Sequence, residues 1–179
     1  MKKIILSLSI ISLLISGCAS NKWDIKDPNA PEAYYKQHEK QLKDNQEKLD
    51  KDPENFTLQF EKAFQLQALK RYTEAVKEYE KALEMAPDDF ATLNNLAAIY
   101  EEVGEIEKAL TYEQQLYNKN TTNIEVLRDT IRLLVKNKQF SDAYGVLDTF
   151  AKTEDGKKEG AFLSEEMTFI KDEEAKSKQ

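Results

Sequence analysis

The chain has 179 residues, a net charge of −7, one cysteine and one histidine. The single cysteine excludes an intrachain disulfide, and the acidic balance argues against a nucleic-acid partner. The same excess of carboxylates argues against adhesion of the folded part to anionic lipid, because like charges repel.

The first 17 residues have the pattern of an export signal. Lys2 and Lys3 form a basic start, and an apolar run broken only by serines follows over residues 4–15. This run is too short to span a bilayer comfortably and leads into small residues, as in a cleavable signal peptide. Residues 1–17 are therefore predicted to be removed, which leaves the remaining chain more acidic.

Residues 15–18 read Ile-Ser-Gly-Cys and resemble the lipobox of bacterial lipoproteins. The resemblance implies cleavage before Cys18 and acylation of that residue, and two or three acyl chains give stable membrane anchoring. No aspartate follows Cys18, which in a bacterium with two membranes implies an outer-membrane location facing the periplasm. The alternative is an ordinary signal peptide with a chance cysteine. Residues 18–30 are polar and lack periodicity, so they are predicted to form a lipidated tether.

A helix is predicted over residues 31–52, because Asn29 and Glu32 have the spacing of an N-cap and its N3 partner. Its apolar residues are sparse, so it is interpreted as an N-terminal capping helix with one solvent-exposed side. The alternative is a helix that pairs with another protein through an apolar stripe. This stripe consists of Tyr35, His38, Leu42 and Leu49.

A period of 34 residues runs through the rest of the chain. Apolar residues recur at Tyr72, Ile106 and Phe140, and alanines recur at Ala75, Ala109 and Ala143. A fixed period of this length indicates stacked repeats. The alanines are expected where two helix backbones approach within about 8 Å, because only small side chains fit there.

The second-helix signature of tetratricopeptide repeats is matched by Ala75, Tyr79, Ala82 and Pro87. Residues 56–157 therefore resemble this family. The resemblance implies an all-α helical solenoid of about three helix-hairpin repeats with a capping helix at each end. The three repeats are placed at residues 56–89, 90–123 and 124–157, and the C-terminal capping helix at residues 159–176.

Some positions depart from the repeat pattern. Gln59 and Lys62 stand where the family prefers large apolar residues, and Glu113 stands where Tyr79 stands one repeat earlier. The third repeat is the most degenerate, as is common for a terminal repeat. An apolar edge on the last helix is expected to cover its open end.

No arrangement of residues points to catalysis, which needs a positioned nucleophile, base and orienting group. His38 is interpreted as a solvated helix residue, because a lone histidine has no partners for a metal site. Paired carboxylates such as Glu165 and Glu166 lack calcium-loop spacing and are interpreted as solvated helix faces. No enzymatic activity, cofactor or metal site is therefore predicted.

The family resemblance implies that the first helix of each repeat lines a concave groove. The expected partner-binding residues are Phe60, Phe64, Asn94, Glu101, Arg128, Arg132 and Lys136. The two phenylalanines lie one turn apart on a face that the core should not need. The three cations share a helix face with no anion between them, so the far end of the groove is expected to be basic. The alternative is a solvent-facing surface with no ligand.

These features predict a membrane-anchored adaptor lipoprotein that binds a peptide or helix of another cell-envelope protein. One alternative is an accessory lipoprotein that binds a small hydrophobic solute or serves a transporter, using Phe60 and Phe64. Another is a self-associating structural lipoprotein.

Overall fold

In the computed structural model, residues 31–179 are described and form eight α-helices with no strand among them. The helices are α1 (Glu32–Leu49), α2 (Phe56–Ala68), α3 (Tyr72–Met85), α4 (Phe90–Glu102), α5 (Ile106–Lys119), α6 (Ile124–Lys136), α7 (Phe140–Ala151) and α8 (Gly160–Ser177). A 3₁₀ turn over Gly156–Lys158 joins α7 to α8. The expected all-α fold class is confirmed. The predicted signal peptide at 1–17, the tether at 18–30 and the expected N-cap Asn29 lie outside the described residues.

The first helix of each repeat begins at a side-chain cap. The caps are Asn55, Asp89 and Asn123, which follow the 34-residue period. Each side-chain oxygen accepts a hydrogen bond from the backbone amide three residues later, at 2.8 Å between Asp89 and Thr92. These amides have no partner within their own helix, so each cap stabilises its helix by about 1 kcal/mol.

The turn inside each helix hairpin contains one residue in the left-handed backbone region. Lys70, Gly104 and Lys138 have φ angles of 56°, 79° and 60°, again 34 residues apart. The amide of the next residue donates to the carbonyl five residues back, as from Arg71 to Leu66 at 2.9 Å. This Schellman-type arrangement ends the first helix and turns the chain into the second. Glycine adopts the left-handed region freely, whereas the two lysines adopt it at a conformational cost.

The recurring alanines lie at closely packed helix contacts. Ala75, Ala109 and Ala143 on the second helices are fully buried. One core cluster extends from α2 to α6, and another extends from α6 through α7 to α8. Leu110 packs against both clusters, so the repeats share a continuous core.

The polar residues that replace apolar ones in α2 surround a carboxylate of α3. The buried Gln59 amide donates to the carbonyl oxygen of Glu78 at 3.0 Å and to its Oε2 at 2.6 Å, and Lys62 Nζ lies 3.1 Å from Oε2. Burial raises the pKa of Glu78, but hydrogen bonds from Gln59, Lys81 and Lys62 outweigh it, so the pKa lies below its ordinary value. The departures from the repeat pattern thus form a satisfied polar cluster, which a core tolerates.

The apolar stripe of α1 packs against α2. Tyr35 and Leu49 are buried, and His38 Nδ1 lies 2.6 Å from the side-chain oxygen of buried Gln65. The expectation that His38 is solvated is therefore wrong, because it is half-buried. The stripe is covered within the chain, which argues against the alternative that it pairs with another protein. The cause is that α1 has few apolar residues and packs those of the stripe against α2, which leaves Tyr34, outside the stripe, exposed.

The last helix covers the third repeat. Phe162 and Ile170 of α8 are buried in one cluster with Ile131 and Leu147. The preceding 3₁₀ turn lies so close to α7 that a Cβ at Gly156 would fall 2.0 Å from a backbone oxygen. Only glycine allows this approach.

Replacing Ala109 with leucine should destabilise the fold, because this residue is fully buried between helices. Overpacking of this kind lowers the free energy of unfolding by about 1–3 kcal/mol. Glu107→Leu changes an exposed residue of the same helix and should alter it by less than about 0.5 kcal/mol. Urea denaturation measures both variants, and equal midpoints would contradict the packing described here.

Candidate functional site

The first helices of the three repeats, α2, α4 and α6, form one face of the solenoid. We call the surface formed by Phe64, Asn94, Ala98, Glu101, Arg128, Arg132 and Lys136 the first-helix face. Ion pairs of Glu101 with Arg132 and Lys136 join α4 to α6, and the pair of Lys70 with Glu102 joins the turn after α2 to α4. Asn94 and Ala98 are exposed in the centre of the face, so small and polar side chains separate its aromatic end from its charged end.

The two phenylalanines of α2 differ in their surroundings. Phe64 is 45% exposed. Phe60 packs against Tyr79 with ring centroids 5.5 Å apart and borders the core. The expectation that the core needs neither residue is therefore wrong for Phe60, which covers one side of the buried Tyr79 ring. Phe64 alone offers a free aromatic surface.

The three cations of α6 are paired with carboxylates of neighbouring helices. Glu101 of α4 pairs with Arg132 and lies 3.3 Å from Lys136 Nζ. Arg128 Nε lies 2.9 Å from Glu166 of α8. The expectation of a basic end without anions is wrong, because Asp129 of α6 itself pairs with Arg132 at 2.8 Å and stacking brings carboxylates from adjacent helices against α6. Glu166 is likewise buried rather than solvated.

A signal for these pairs exists in the sequence. Their partners are separated by 31, 35 and 38 residues, and Lys70 with Glu102, at 3.0 Å, by 32. Each separation is close to one repeat period. A search of the sequence for opposite charges about 34 residues apart would therefore find these pairs. Helical spacing within α6 alone could not reveal them.

Two of the paired carboxylates, Glu101 and Glu166, lie beneath the cations, whereas Asp129 and Glu165 pair with them at the surface. The side chains of Arg128, Arg132 and Lys136 are 41–50% exposed, whereas those of Glu101 and Glu166 are 20% and 6% exposed. Burial raises the pKa of Glu101, but hydrogen bonds and attraction from Arg132 and Lys136 outweigh it, so the pKa lies below its ordinary value. The cationic ends thus remain open to an additional anion while the carboxylates hold them in place.

A further carboxyl lies under this network. Glu113 of α5 occupies the position that corresponds to Tyr79 and is 3% exposed. Burial raises its pKa to about 7, the negative charges of Asp129 and Glu101 act in the same direction, and Arg132 opposes them. The sequence marked this residue only as a departure from the pattern.

The described residues contain neither a metal site nor a bilayer-spanning helix. Within residues 31–179, no group of three or more His, Cys, Asp or Glu side chains could hold a metal ion. None of the described helices is both long and apolar enough to cross a membrane. The predicted lipidation site, Cys18, lies outside the described residues.

Residues 55–119 match the model of the tetratricopeptide repeat family. These residues are therefore identified as tetratricopeptide repeats. Such repeats suggest a protein-interaction scaffold, and proteins built from them are generally not enzymes. No curated protein matches the chain.

Two solved structures resemble this tetratricopeptide-repeat chain in fold. One is entitled "MamA RS-1 ArsTM double mutant"; it is 12% identical, has a TM-score of 0.59, and the match covers 78% of this chain and 86% of that one. The other is a tetratricopeptide repeat protein from Parabacteroides merdae ATCC 43184; it is 22% identical, has a TM-score of 0.54, and the match covers 79% of this chain and 63% of that one. At these identities the likeness shows the fold.

The raised pKa of Glu113 should make stability depend on pH. In the unfolded chain this carboxyl ionises near its ordinary pKa of 4.5, whereas in the fold it ionises near 7. The folded state therefore holds the proton more tightly, and the contribution of Glu113 to stability falls as the pH rises from 4.5 to 7. By linkage the loss is roughly 3 kcal/mol.

Glu113→Gln should therefore match the wild type at pH 4 and exceed its unfolding free energy at pH 8. Glu107→Gln changes an exposed carboxyl of the same helix and should differ from the wild type equally at both pH values. Urea denaturation at the two pH values gives the differences. A Glu113→Gln difference that does not change with pH would show that this carboxyl is not destabilised by burial.

Proposed function

We propose that the protein is a lipid-anchored adaptor whose first-helix face binds a segment of another cell-envelope protein. One observation carries the proposal: an exposed aromatic ring and three outward-facing cations lie on the same face of the solenoid, separated by small and polar residues. A segment lying across the three first helices would meet all of these groups. No enzymatic step is part of this function.

Phe64 supplies the apolar anchor point in this proposal. A half-exposed aromatic ring on a largely polar face is typical of residues that contribute strongly to protein binding. The rings nearest to it in α2, those of Phe60 and Phe56, are half-buried, with centroids 6.2 Å apart. A single exposed ring does not enclose a small solute, which favours a peptide or helix as the ligand over the alternative of a hydrophobic solute.

The cations supply orientation at the other end of the face. Arg128, Arg132 and Lys136 are each held by a carboxylate beneath them and keep their outer surfaces in solvent. An acidic residue of the partner would add a second anion to each cation, at the exposed rim of the interface. Such contacts contribute modestly to affinity and mainly to the rate and orientation of association.

The lipobox-like residues 15–18 support the membrane part of the proposal. Acylation of Cys18 would hold the solenoid at a bacterial membrane surface through the polar residues 18–30. The absence of aspartate after Cys18 favours the outer membrane in a bacterium that has two. The adaptor would then act on proteins of the periplasm or of the membrane itself.

Phe64→Ala should weaken capture of the partner about tenfold or more, because it removes the exposed ring that anchors the segment on α2. The measurement is quantitative mass spectrometry of proteins crosslinked to the full-length chain in native membranes. Met85→Ala is the matched control, since Met85 is a large apolar residue that is 40% exposed on the second helix α3. Circular dichroism verifies that both variants are folded. Wild-type recovery of every crosslinked protein by Phe64→Ala would exclude this face as the binding surface.

Cys18→Ser should abolish anchoring, because it removes the sulfur to which the lipid is attached. We expect the variant to remain as an uncleaved precursor or to become soluble, measured by membrane fractionation after a high-salt wash. Ser20→Ala keeps the cysteine and should stay in the membrane fraction. A cleaved Cys18→Ser protein that still fractionates with membranes would refute the lipid assignment.

A further inference from the structure

A cavity of about 520 Å³ lies between the C-terminal parts of α6 and α8. Its apolar lining comprises Val135, Phe140 and Phe169. Val135 is buried, and the two rings are half-buried at the edge of the core cluster that α8 completes. In the described part of the chain, no helix follows α8 to cover these rings.

The rim of this cavity is basic. Arg132, Lys136, Lys138 and Lys176 line it, together with one carboxylate, Glu173. Glu173 is paired with Lys176 at 2.6 Å, and Glu101 is shared between Arg132 and Lys136. Within residues 31–179, Lys138 has no ion-pair partner. Arg132 also pairs with Asp129 at 2.8 Å, so four cations face three carboxylates in a chain whose net charge is −7.

Helix dipoles explain only part of this cluster. Lys136 and Lys176 lie in the last turns of their helices, where a cation interacts favourably with the helix C-terminus. Lys138 lies beyond α6 in the left-handed turn position, where a lysine is conformationally costly. Helix dipoles also do not account for the half-buried rings of Phe140 and Phe169, which line the cavity beside these cations.

We infer that the cavity between α6 and α8 binds an acidic peptide segment through one apolar side chain of that segment. The cavity has the size of a site for one large side chain and its neighbouring backbone. The apolar side chain would contact Val135, Phe140 and Phe169, and flanking carboxylates would meet the cations of the rim. This inference rests on the proposed adaptor function: Arg132 and Lys136 belong both to the cavity and to the first-helix face, so one partner segment can occupy both.

Charge favours a peptide over a membrane surface as the occupant. The chain as a whole is acidic, so a surface of anionic lipid would repel most of the solenoid while attracting this one patch. A peptide segment brings its negative charges to the patch alone. Electrostatic complementarity is then local, and it selects segments with Asp or Glu beside the anchor residue.

The test is a selection of random twelve-residue displayed peptides on the full-length chain in detergent micelles. We expect enriched peptides to carry an aromatic or large aliphatic residue flanked by Asp or Glu. Fluorescence anisotropy with an enriched peptide should show binding weakened about three- to fivefold by Lys138→Gln, as for an exposed ion pair. Phe169→Ala should weaken it about tenfold or more.

The matched control is Lys70→Gln, which changes the corresponding turn lysine of the first repeat and should leave peptide affinity within about twofold. Circular dichroism establishes that each variant is folded. If Phe169→Ala does not fold, Lys138→Glu reverses a charge in an exposed turn and should weaken binding by more than Lys138→Gln.

Each other result overturns the inference. If enriched peptides respond to Phe64→Ala but not to the Lys138 variants, the cavity is not the site, while the proposed adaptor function stands. If no acidic peptide with an apolar anchor is enriched, the inference fails. If Phe64→Ala also captures native partners as well as the wild type does, the adaptor function fails too. If micelles containing phosphatidylglycerol bind in a Lys138-dependent way while no such peptide is enriched, the occupant is a lipid headgroup.

Discussion

No helix of this chain can bury its apolar residues alone, and the fold depends on how the helices share that burial. The small residues Ala75, Ala109 and Ala143 let neighbouring helices approach closely, and larger side chains fill the space around them. The same 34-residue period sets the caps that begin the first helices and the left-handed turns that end them. The caps and turns therefore recur at the same spacing as the helix contacts. Such agreement between local and long-range interactions favours a single fold.

Features that recur with the period could be predicted from the sequence. The alanine positions, the cap at Asp89 and the turn at Gly104 follow from residue type and spacing, since each acts through its own helix or turn. Features that depend on contacts between different helices could not be predicted from the sequence. The apolar character of Phe60 and the charge of Arg132 indicated ligand binding, whereas their neighbours Tyr79 and Glu101 show that both also serve the fold.

Polar residues inside the solenoid divide into two kinds. Glu78 is surrounded by donors from Gln59, Lys62 and Lys81, so its charge is stabilised and its pKa is lowered. Burial of Glu113, together with the negative charges of Asp129 and Glu101, outweighs the opposing effects of Arg132 and Thr130, so its pKa is raised to about 7. The hydrogen bonds around Glu78 thus keep its charge satisfied within the fold. Glu113 places a destabilised carboxyl beneath the first-helix face, where its ionisation acts on the network that holds Arg132.

The arrangement of charge relates the fold to the proposed function. The buried Glu166 and the half-buried Glu101 fix the cations of α6 and leave their outer surfaces in solvent, so the face is ordered before any partner arrives. Preorganised side chains lose little conformational freedom on binding. The uncovered rings at α8 extend this face beyond the third repeat, and the exposed Phe64 marks its opposite end.

The central claim, that the first-helix face contacts an envelope protein, is tested most directly by photocrosslinking in living cells. A photoreactive phenylalanine analogue replaces either Asn94, exposed on α4 in the centre of the face, or Gln115, exposed on the second helix α5. Our account predicts a discrete adduct with a cell-envelope protein from position 94 and none from position 115. An adduct from position 115 alone would contradict it and assign binding to the second helices.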